Sequence, residues 1–230
     1  MSPGSRILDS YRNFLVPPPA RGPNVCMTCR RPTDGFARCW QCNRHHREFG
    51  AELADDVVSI SLAPKEKQLA RVLSQYKNSQ SEHVKRKFTN ELACVLAAFL
   101  AQHHPCLNEF DVVTVVPSSQ GRTPPLVDVL GRRISLTRGR FAETLVTRSS
   151  NTREMRPDHY EVIVDVRGKS VLLIDDTWTT GASLQSAAVA LNRAGAARVV
   201  GLVIGRHLDE PAPATAIPFE WTVCSLCQQG

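Results

Sequence analysis

The sequence predicts an α/β domain with a parallel β-sheet, preceded by a small cysteine-rich module. Short apolar runs that suit buried strands alternate with longer amphipathic runs that suit helices. Two cysteine pairs, each with two residues between its members, lie near the start of the chain. The chain has 230 residues, 42% of them hydrophobic, which is enough to bury the core of one such domain and an appendage.

Three consecutive units are expected. Residues 1–23 form a short helix over 6–14 and a stiff linker at Pro17-Pro18-Pro19. Residues 24–50 form the cysteine module, and residues 51–230 form the α/β domain.

The cysteine module has the pattern C-x-x-C, nine residues, C-x-x-C. Four thiolates in a tetrahedral array are the standard ligand set for structural zinc, so the pattern predicts a zinc ribbon. A redox-active pair is disfavoured because neither pair opens a thioredoxin-like βαβ unit. The predicted ligands are Cys26, Cys29, Cys39 and Cys42.

The first half of the α/β domain is predicted to be mainly helical. Residues 55–61 suit a short strand or a loop packed on the ribbon, and residues 65–77 suit a helix. A longer helix is expected over 81–103, with Pro105 as its stop. We interpret His103-His104 as a cap of that helix in preference to a pair of metal ligands.

The second half is predicted to be richer in strands. A buried strand over 110–117 leads into a polar turn at 118–122. The remaining predicted elements are a helix at 125–133, a strand at 144–147, a hairpin of 161–166 with 171–175 around Gly168, a parallel strand at 197–204 and an edge strand at 219–223.

Residues 171–183, with the sequence VLLIDDTWTTGAS, combine a buried strand, two carboxylates and a hydroxyl-rich loop that opens into a helix. Backbone N–H groups at such a helix start converge on an anion, and the helix dipole favours negative charge there. The carboxylates suit sugar hydroxyls or a divalent cation. The stretch therefore predicts a ribose 5-phosphate site formed by Asp175, Asp176, Thr177, Thr179, Thr180, Gly181, Ala182 and Ser183.

A nucleoside triphosphate site is the alternative for this region. Residues 168–170, with the sequence GKS, match the end of a P-loop, but the glycine that the P-loop needs at position 163 is Ile163. The lysine also precedes a predicted strand instead of opening a helix. We therefore favour the ribose-phosphate interpretation.

The stretch resembles the signature of the type I phosphoribosyltransferases, and the order of ribbon, helix pair and strand–helix units resembles their ComF-type members. The resemblance implies a parallel-sheet type I phosphoribosyltransferase fold that binds phosphoribosyl pyrophosphate and Mg²⁺. It implies transfer of phosphoribose to an unidentified nitrogen base, with Asp175 and Asp176 at the ribose. It also implies a mobile loop within 148–160 that carries Arg148, Arg153 and Arg156, and a pyrophosphate loop formed by Ser118, Ser119, Gly121 and Arg122.

Charge distribution leaves a second class of function open. The net charge is +6, and residues 21–47 carry six arginines against one acidic residue, Asp34. Such a patch suits a phosphate-rich ligand or nucleic acid. The family resemblance implies the matching alternative: a non-catalytic sensor of phosphoribosyl pyrophosphate or nucleotide, or a DNA-handling protein of the competence type.

The chain has no apolar run of membrane-spanning length and no signal-peptide pattern at its start. We therefore expect a cytoplasmic protein without a membrane partner; a homo-oligomer is compatible with the sequence.

A third C-x-x-C pair, Cys224 and Cys227, lies near the end of the chain. Three interpretations stay open. The two thiols are free on a frayed tail, or they form a second zinc site with His45, His46 or another chain, or they exchange with one pair of the ribbon at its zinc.

Overall fold

The computed structural model describes residues 2–107, 110–118, 123–148, 154–209, 218–224 and 226–227. Its helices are α1 (Pro3–Arg12), α2 (Trp40–Phe49), α3 (Gln68–Asn78), α4 (Glu82–Gln102), α5 (His104–Leu107), α6 (Pro125–Asp128), α7 (Ser135–Arg138) and α8 (Ala182–Arg193). Its strands are β1 (Asp56–Pro64), β2 (Val112–Val115), β3 (Leu145–Thr147), β4 (Tyr160–Val162), β5 (Ser170–Trp178) and β6 (Arg198–Leu208). Short 3₁₀ turns occupy Gly50–Glu52 and Pro157–His159, and a π-helical turn occupies Val129–Arg133.

A four-stranded sheet with the order β1-β6-β5-β2 is the centre of the molecule, and all of its neighbouring strands are parallel. The predicted α/β fold with a parallel sheet is therefore confirmed. β5 and β6 are apolar on both sides because helices or loops cover both faces of the sheet.

Alternate residues of each strand enter two separate cores. On one face, Leu172 and Ile174 of β5 pack with residues of α1, α3 and α4. On the other face, Val171 and Leu173 pack with α8 and with the four cysteines of the N-terminal module. The molecule therefore has three layers, and the cysteine module belongs to the α8 side.

β1 is longer than the sequence suggests and lies in the main sheet. It pairs in parallel with β6 from Asp56 to Pro64, and every residue after Asp56 is buried. The proline-rich linker covers its other edge through a bridge between Val16 and Leu62 and a hydrogen bond from the Val16 N–H to Ser61 Oγ (2.8 Å). The strand alternative for residues 55–61 is thus the correct one.

The predicted hairpin of 161–166 with 171–175 is wrong. Both edges of β5 are occupied by the parallel strands β2 and β6, so no edge is left for an antiparallel partner. β4 pairs instead with β3 in a separate two-stranded sheet, and Ile163 and Val164 are exposed.

Two other element predictions need correction. Residues 218–223 contain no strand; this segment is held by the buried Phe219 and by an ion pair from Arg12 to Glu220 (2.8 Å). The helix predicted over 125–133 changes from α to π geometry after Asp128. The helix predicted over 81–103 is confirmed as α4, which ends at Gln102 with His103 as its C-cap; Pro105 lies beyond it, in the first turn of α5, where proline is tolerated.

None of the helices in the described part of the chain is both long and apolar enough to cross a membrane.

Candidate functional site

A cavity of about 390 Å³ opens at the carboxyl ends of β2 and β5, beside the end of α3 and the start of α8. Of the residues predicted for the site, Ser118, Asp175, Asp176, Thr177 and Ser183 line it. A larger cleft of about 1260 Å³ lies between α1, α3 and α4, but it contains none of the predicted site residues. The smaller cavity is therefore the candidate site.

The two carboxylates of the site have different surroundings because neighbouring residues of a strand face opposite sides of the sheet. Asp176 is 3% exposed; it accepts a hydrogen bond from the Tyr76 hydroxyl and forms an ion pair with Lys77 Nζ (2.6 Å). Asp175 is partly exposed, and its Oδ1 accepts the backbone N–H of Asp176 (2.8 Å). Asp175 is thus the carboxylate that remains available to a ligand.

The ionisation of these groups follows from burial and from their mutual charges. Burial and the neighbouring Asp176 raise the pKa of Asp175 to about 7, although Lys77 acts in the opposite direction. Burial lowers the pKa of Lys77, but the charges of Asp176 and Asp175 outweigh it, so that the net shift is upward. Burial and Asp176 raise the pKa of Tyr76 well above its ordinary value. Near neutral pH the site therefore holds a charged lysine and a carboxyl group poised between two states.

The loop between β5 and α8 packs on Trp178, the last residue of β5. Trp178 is 2% exposed, and Gly181 lies against its ring with φ +83°. A Cβ at position 181 would overlap the ring, so glycine is required there for both space and backbone conformation. Thr180 Oγ1 accepts the N–H of Ala182 (3.3 Å), while Thr179 is exposed.

Arg206 of β6 holds the backbone of this loop in place. Its guanidinium is 3% exposed, and Nη1 donates to the carbonyl oxygens of Trp178 (3.2 Å) and Thr179 (2.7 Å). The position of the loop backbone therefore depends on a buried charge from the neighbouring strand.

The predicted pyrophosphate loop is only partly within the described residues. Ser118 lines the cavity at the end of β2. Ser119, Gly121 and Arg122 lie outside the described residues. Thr123, Pro124 and Pro125 line the cavity wall beyond them.

Two of the three arginines predicted to reach phosphates lie within the described residues. Arg148 pairs with Glu161 (3.1 Å) on the surface, and the backbone N–H of Arg156 donates to Ser186 Oγ (2.7 Å). Arg153 lies outside the described residues.

Several cavity residues were not predicted from the sequence, among them Tyr76, Lys77, Lys85 and Tyr160. Tyr76 and Lys77 come from the end of α3, and the buried Tyr160 comes from the start of β4 and shares a hydrogen bond with Ser183. The only sequence signal was the placement of Tyr76 on the apolar face of its helix, which is equally typical of a core residue.

The four cysteines of the N-terminal module form a second candidate centre. One ligand atom from each of Cys26, Cys29, Cys39 and Cys42 lies within 4.8 Å of the others, and all four residues are buried. Cys29 Sγ and Cys39 Sγ are 3.8 Å apart, close to the sulfur separation of about 3.8 Å that tetrahedral Zn–S bonds of about 2.3 Å require. Cys39 precedes α2 and Cys42 lies in its first turn.

Buried positive charge near this cluster also fits a tetrathiolate zinc site, whose net charge is negative. Arg30 is 2% exposed; burial and then Arg21 lower its pKa, whereas Asp56 and the thiolates of Cys26 and Cys29 act in the opposite direction. The hydrogen bond with Cys26 raises the pKa of the Cys29 thiol, but those with Cys39 and Cys42, together with the charge of Arg206, bring it down to about 6 despite burial. Because Arg30 is buried, it does not belong to the basic surface that the sequence suggested.

No protein-family profile matches the chain, and no curated protein matches it in sequence. Among the solved structures that it resembles is a phosphoribosyltransferase from Corynebacterium diphtheriae, with 21% sequence identity. The match covers 60% of this chain and 92% of that chain, with a TM-score of 0.34. At this level of likeness, function has to be argued from the geometry of the site itself.

Proposed function

We propose that the chain binds phosphoribosyl pyrophosphate together with Mg²⁺ and transfers phosphoribose to a nitrogen base. The observation that carries the proposal is one cavity in which Asp175 faces the start of α8 on one side and the turn after β2 on the other. A sugar phosphate needs this combination of acceptors for its hydroxyls and donors for its phosphate.

Each part of the substrate has a proposed partner. Asp175 accepts hydrogen bonds from the ribose hydroxyls. Asp176 holds Lys77, and with Lys85, which also lines the cavity, that lysine supplies positive charge for the pyrophosphate. Ser118, with Ser119, Gly121 and Arg122, completes the pyrophosphate subsite. The 5-phosphate is bound by the first N–H groups of α8 and by Thr177, Thr179, Thr180, Gly181, Ala182 and Ser183.

In the proposed reaction the bond from C1 of ribose to the pyrophosphate oxygen breaks, and its electron pair leaves with pyrophosphate. The lone pair of the nitrogen base forms the new C1–N bond, and the proton of that nitrogen is released. When bound, Mg²⁺ would neutralise part of the charge that develops on pyrophosphate. The chain itself contributes positioning and fixed charge.

The test is calorimetric titration of phosphoribosyl pyrophosphate in the presence of Mg²⁺. Asp175→Asn removes the ribose acceptor, and we expect its affinity to fall at least about tenfold, or about 1.4 kcal/mol. Asp165→Asn is the matched control, because Asp165 is exposed, pairs with Arg167 and does not line the cavity. Equal affinities of the two variants would remove the ribose assignment. Pyrophosphate release is then measured against a panel of purine and pyrimidine bases.

A second candidate function, contact with single-stranded nucleic acid, is favoured by the surface of the cysteine module. Phe36 and Trp40 are 69% and 70% exposed, and the Arg44 guanidinium lies 5.7 Å from the Trp40 ring centroid. Exposed aromatic rings among arginines suit base stacking and phosphate contact. This candidate predicts salt-dependent oligonucleotide binding that Trp40→Ala weakens and Asp175→Asn leaves unchanged.

A further inference from the structure

We propose that His103, Cys106, Cys224 and Cys227 bind a second Zn²⁺ and thereby fasten the C-terminal segment to the end of α4. The four residues come from two parts of the chain that are distant in sequence, yet their ligand atoms all lie within 4.8 Å of one another. Three sulfur ligands and one imidazole are a common structural zinc set. Among the described residues, this group and the N-terminal cluster are the two sets with metal-binding geometry.

The separations within the group are those of a compact cluster, at or somewhat below the sulfur separation of about 3.8 Å of a tetrahedral zinc site. Cys106 Sγ lies 3.8 Å from Cys224 Sγ and 3.2 Å from Cys227 Sγ, and the last two sulfurs are 3.4 Å apart. His103 Nδ1 lies 3.2 Å from Cys227 Sγ. A disulfide needs about 2.05 Å between its sulfurs, so the thiols are arranged around a common centre and not bonded in pairs.

The fold holds the ligands in place. His103 caps the C-terminus of α4 and is 1% exposed, and its ring stacks against Phe99 with centroids 4.3 Å apart. Cys106 follows within α5. Cys224 is buried in the core on the α4 side, and its Sγ accepts the N–H of Cys227 (3.5 Å). An N–H···S contact of this kind stabilises thiolate charge.

This arrangement decides between the three interpretations of the C-terminal pair. Cys224 is 6% exposed and packed, which contradicts free thiols on a frayed tail. His45 and His46 belong to neither ligand group, so they do not complete the site. Exchange with the ribbon is also excluded for this arrangement, because Cys224 packs in the core on the α4 side of the sheet and the N-terminal cluster packs in the core on the α8 side.

A metal at this site would help to hold the C-terminal segment beside α1. The segment before Cys224 contributes Phe219 to the core and pairs Glu220 with Arg12 of α1. The ion pair is exposed and contributes little by itself. A bound metal would add a direct link between the C-terminal segment and the end of α4.

The experiment is zinc stoichiometry on the full chain, purified without chelator under reducing conditions and dialysed against metal-free buffer. Elemental analysis and native mass spectrometry should give two zinc ions per chain for the wild type and one for Cys227→Ser. Cys94→Ser is the matched control and should keep two, because Cys94 belongs to neither ligand group. A truncation ending at Val223, which lacks both C-terminal cysteines, should contain one.

Zinc X-ray absorption gives an independent readout that does not depend on counting. The two sites together offer seven sulfur ligands and one nitrogen, and the nitrogen contribution should disappear in Cys227→Ser. One zinc per chain in the wild type, a disulfide among these cysteines, or two zinc ions in both Cys227→Ser and the truncation would overturn the proposal. Since none of these readouts requires substrate, they are independent of the proposed function.

Discussion

The two candidate metal-ligand clusters have nearly the same chemistry but are assembled in different ways. Cys29 and Cys39 of the first are ten positions apart, whereas Cys106 and Cys227 of the second are 121 positions apart. The first lies in the core on the α8 side, where the charge of Arg206 acts on the Cys29 thiol; Arg206 also holds the loop before α8. The second lies on the α4 side and touches the C-terminal segment. We infer that the first supports the candidate site and the second supports the chain end.

The largest expected effect is a difference between the two clusters in how much each contributes to the free energy of unfolding. Cys39→Ser should lower the free energy of unfolding by about 3–5 kcal/mol, because the variant would lose the metal. The buried charges of Arg30 and Arg206 would then lack the negative charge of the intact site. Cys227→Ser should lower the free energy of unfolding by only about 1–2 kcal/mol, because the Cys227 side chain is exposed and the C-terminal segment keeps its apolar contacts. Urea denaturation of both variants measures the difference. Equal losses would contradict the distinction between the two clusters.

The next effect tests whether the first cluster and the site are connected through Arg206. Arg206→Gln removes the donor to the carbonyl oxygens of Trp178 and Thr179, and we expect a loss of about 2–3 kcal/mol in stability. Affinity for phosphoribosyl pyrophosphate should fall with it, whereas Cys227→Ser should leave that affinity unchanged. Arg167→Gln is the control, since Arg167 is an exposed arginine paired with Asp165. If Arg206→Gln leaves this affinity unchanged, the first cluster does not influence the site through Arg206.

The smallest expected effect is a pH dependence of stability that arises from the candidate site and from neither cysteine cluster. The pKa of Asp175 is raised to about 7, above its unfolded value of about 3.9, so the native state binds more protons between these pH values. Stability from this group is therefore present at low pH and is lost as pH rises toward 7. Asp175→Asn should remove this component and gain on the order of 1 kcal/mol relative to wild type at pH 8.

Denaturation curves between pH 5 and pH 8 measure this effect. Asp165→Asn and Cys227→Ser should both retain the wild-type slope. Parallel curves for wild type and Asp175→Asn would show that the carboxyl group titrates normally.

Local patterns carried most of the site prediction. The acid pair followed by threonines and glycine predicted the strand, loop and helix at residues 171–183, and the structure places Asp175, Asp176, Thr177 and Ser183 in one cavity. The spacing of the N-terminal cysteines likewise predicted their cluster. Both depend on residues that are close along the chain, where side-chain direction follows directly from secondary structure.

The different environments of Asp175 and Asp176 could not be predicted from the fact that the two residues are adjacent. Which helix covers each face of β5 decides that Asp176 meets Tyr76 and Lys77 while Asp175 stays open to the cavity.

The sequence by itself determined the α/β class, the first cysteine cluster and the loop that opens α8. Only the tertiary structure decided that His103 and Cys106 meet Cys224 and Cys227; from the sequence, His103 is predicted as a helix cap and Cys106 is not predicted as a ligand. It also decided that β1 enters the sheet and that β5 has no free edge for a hairpin. The physical reason is the same in each case: contacts between distant segments depend on how the layers pack, and the residue pattern of one segment does not specify its partner.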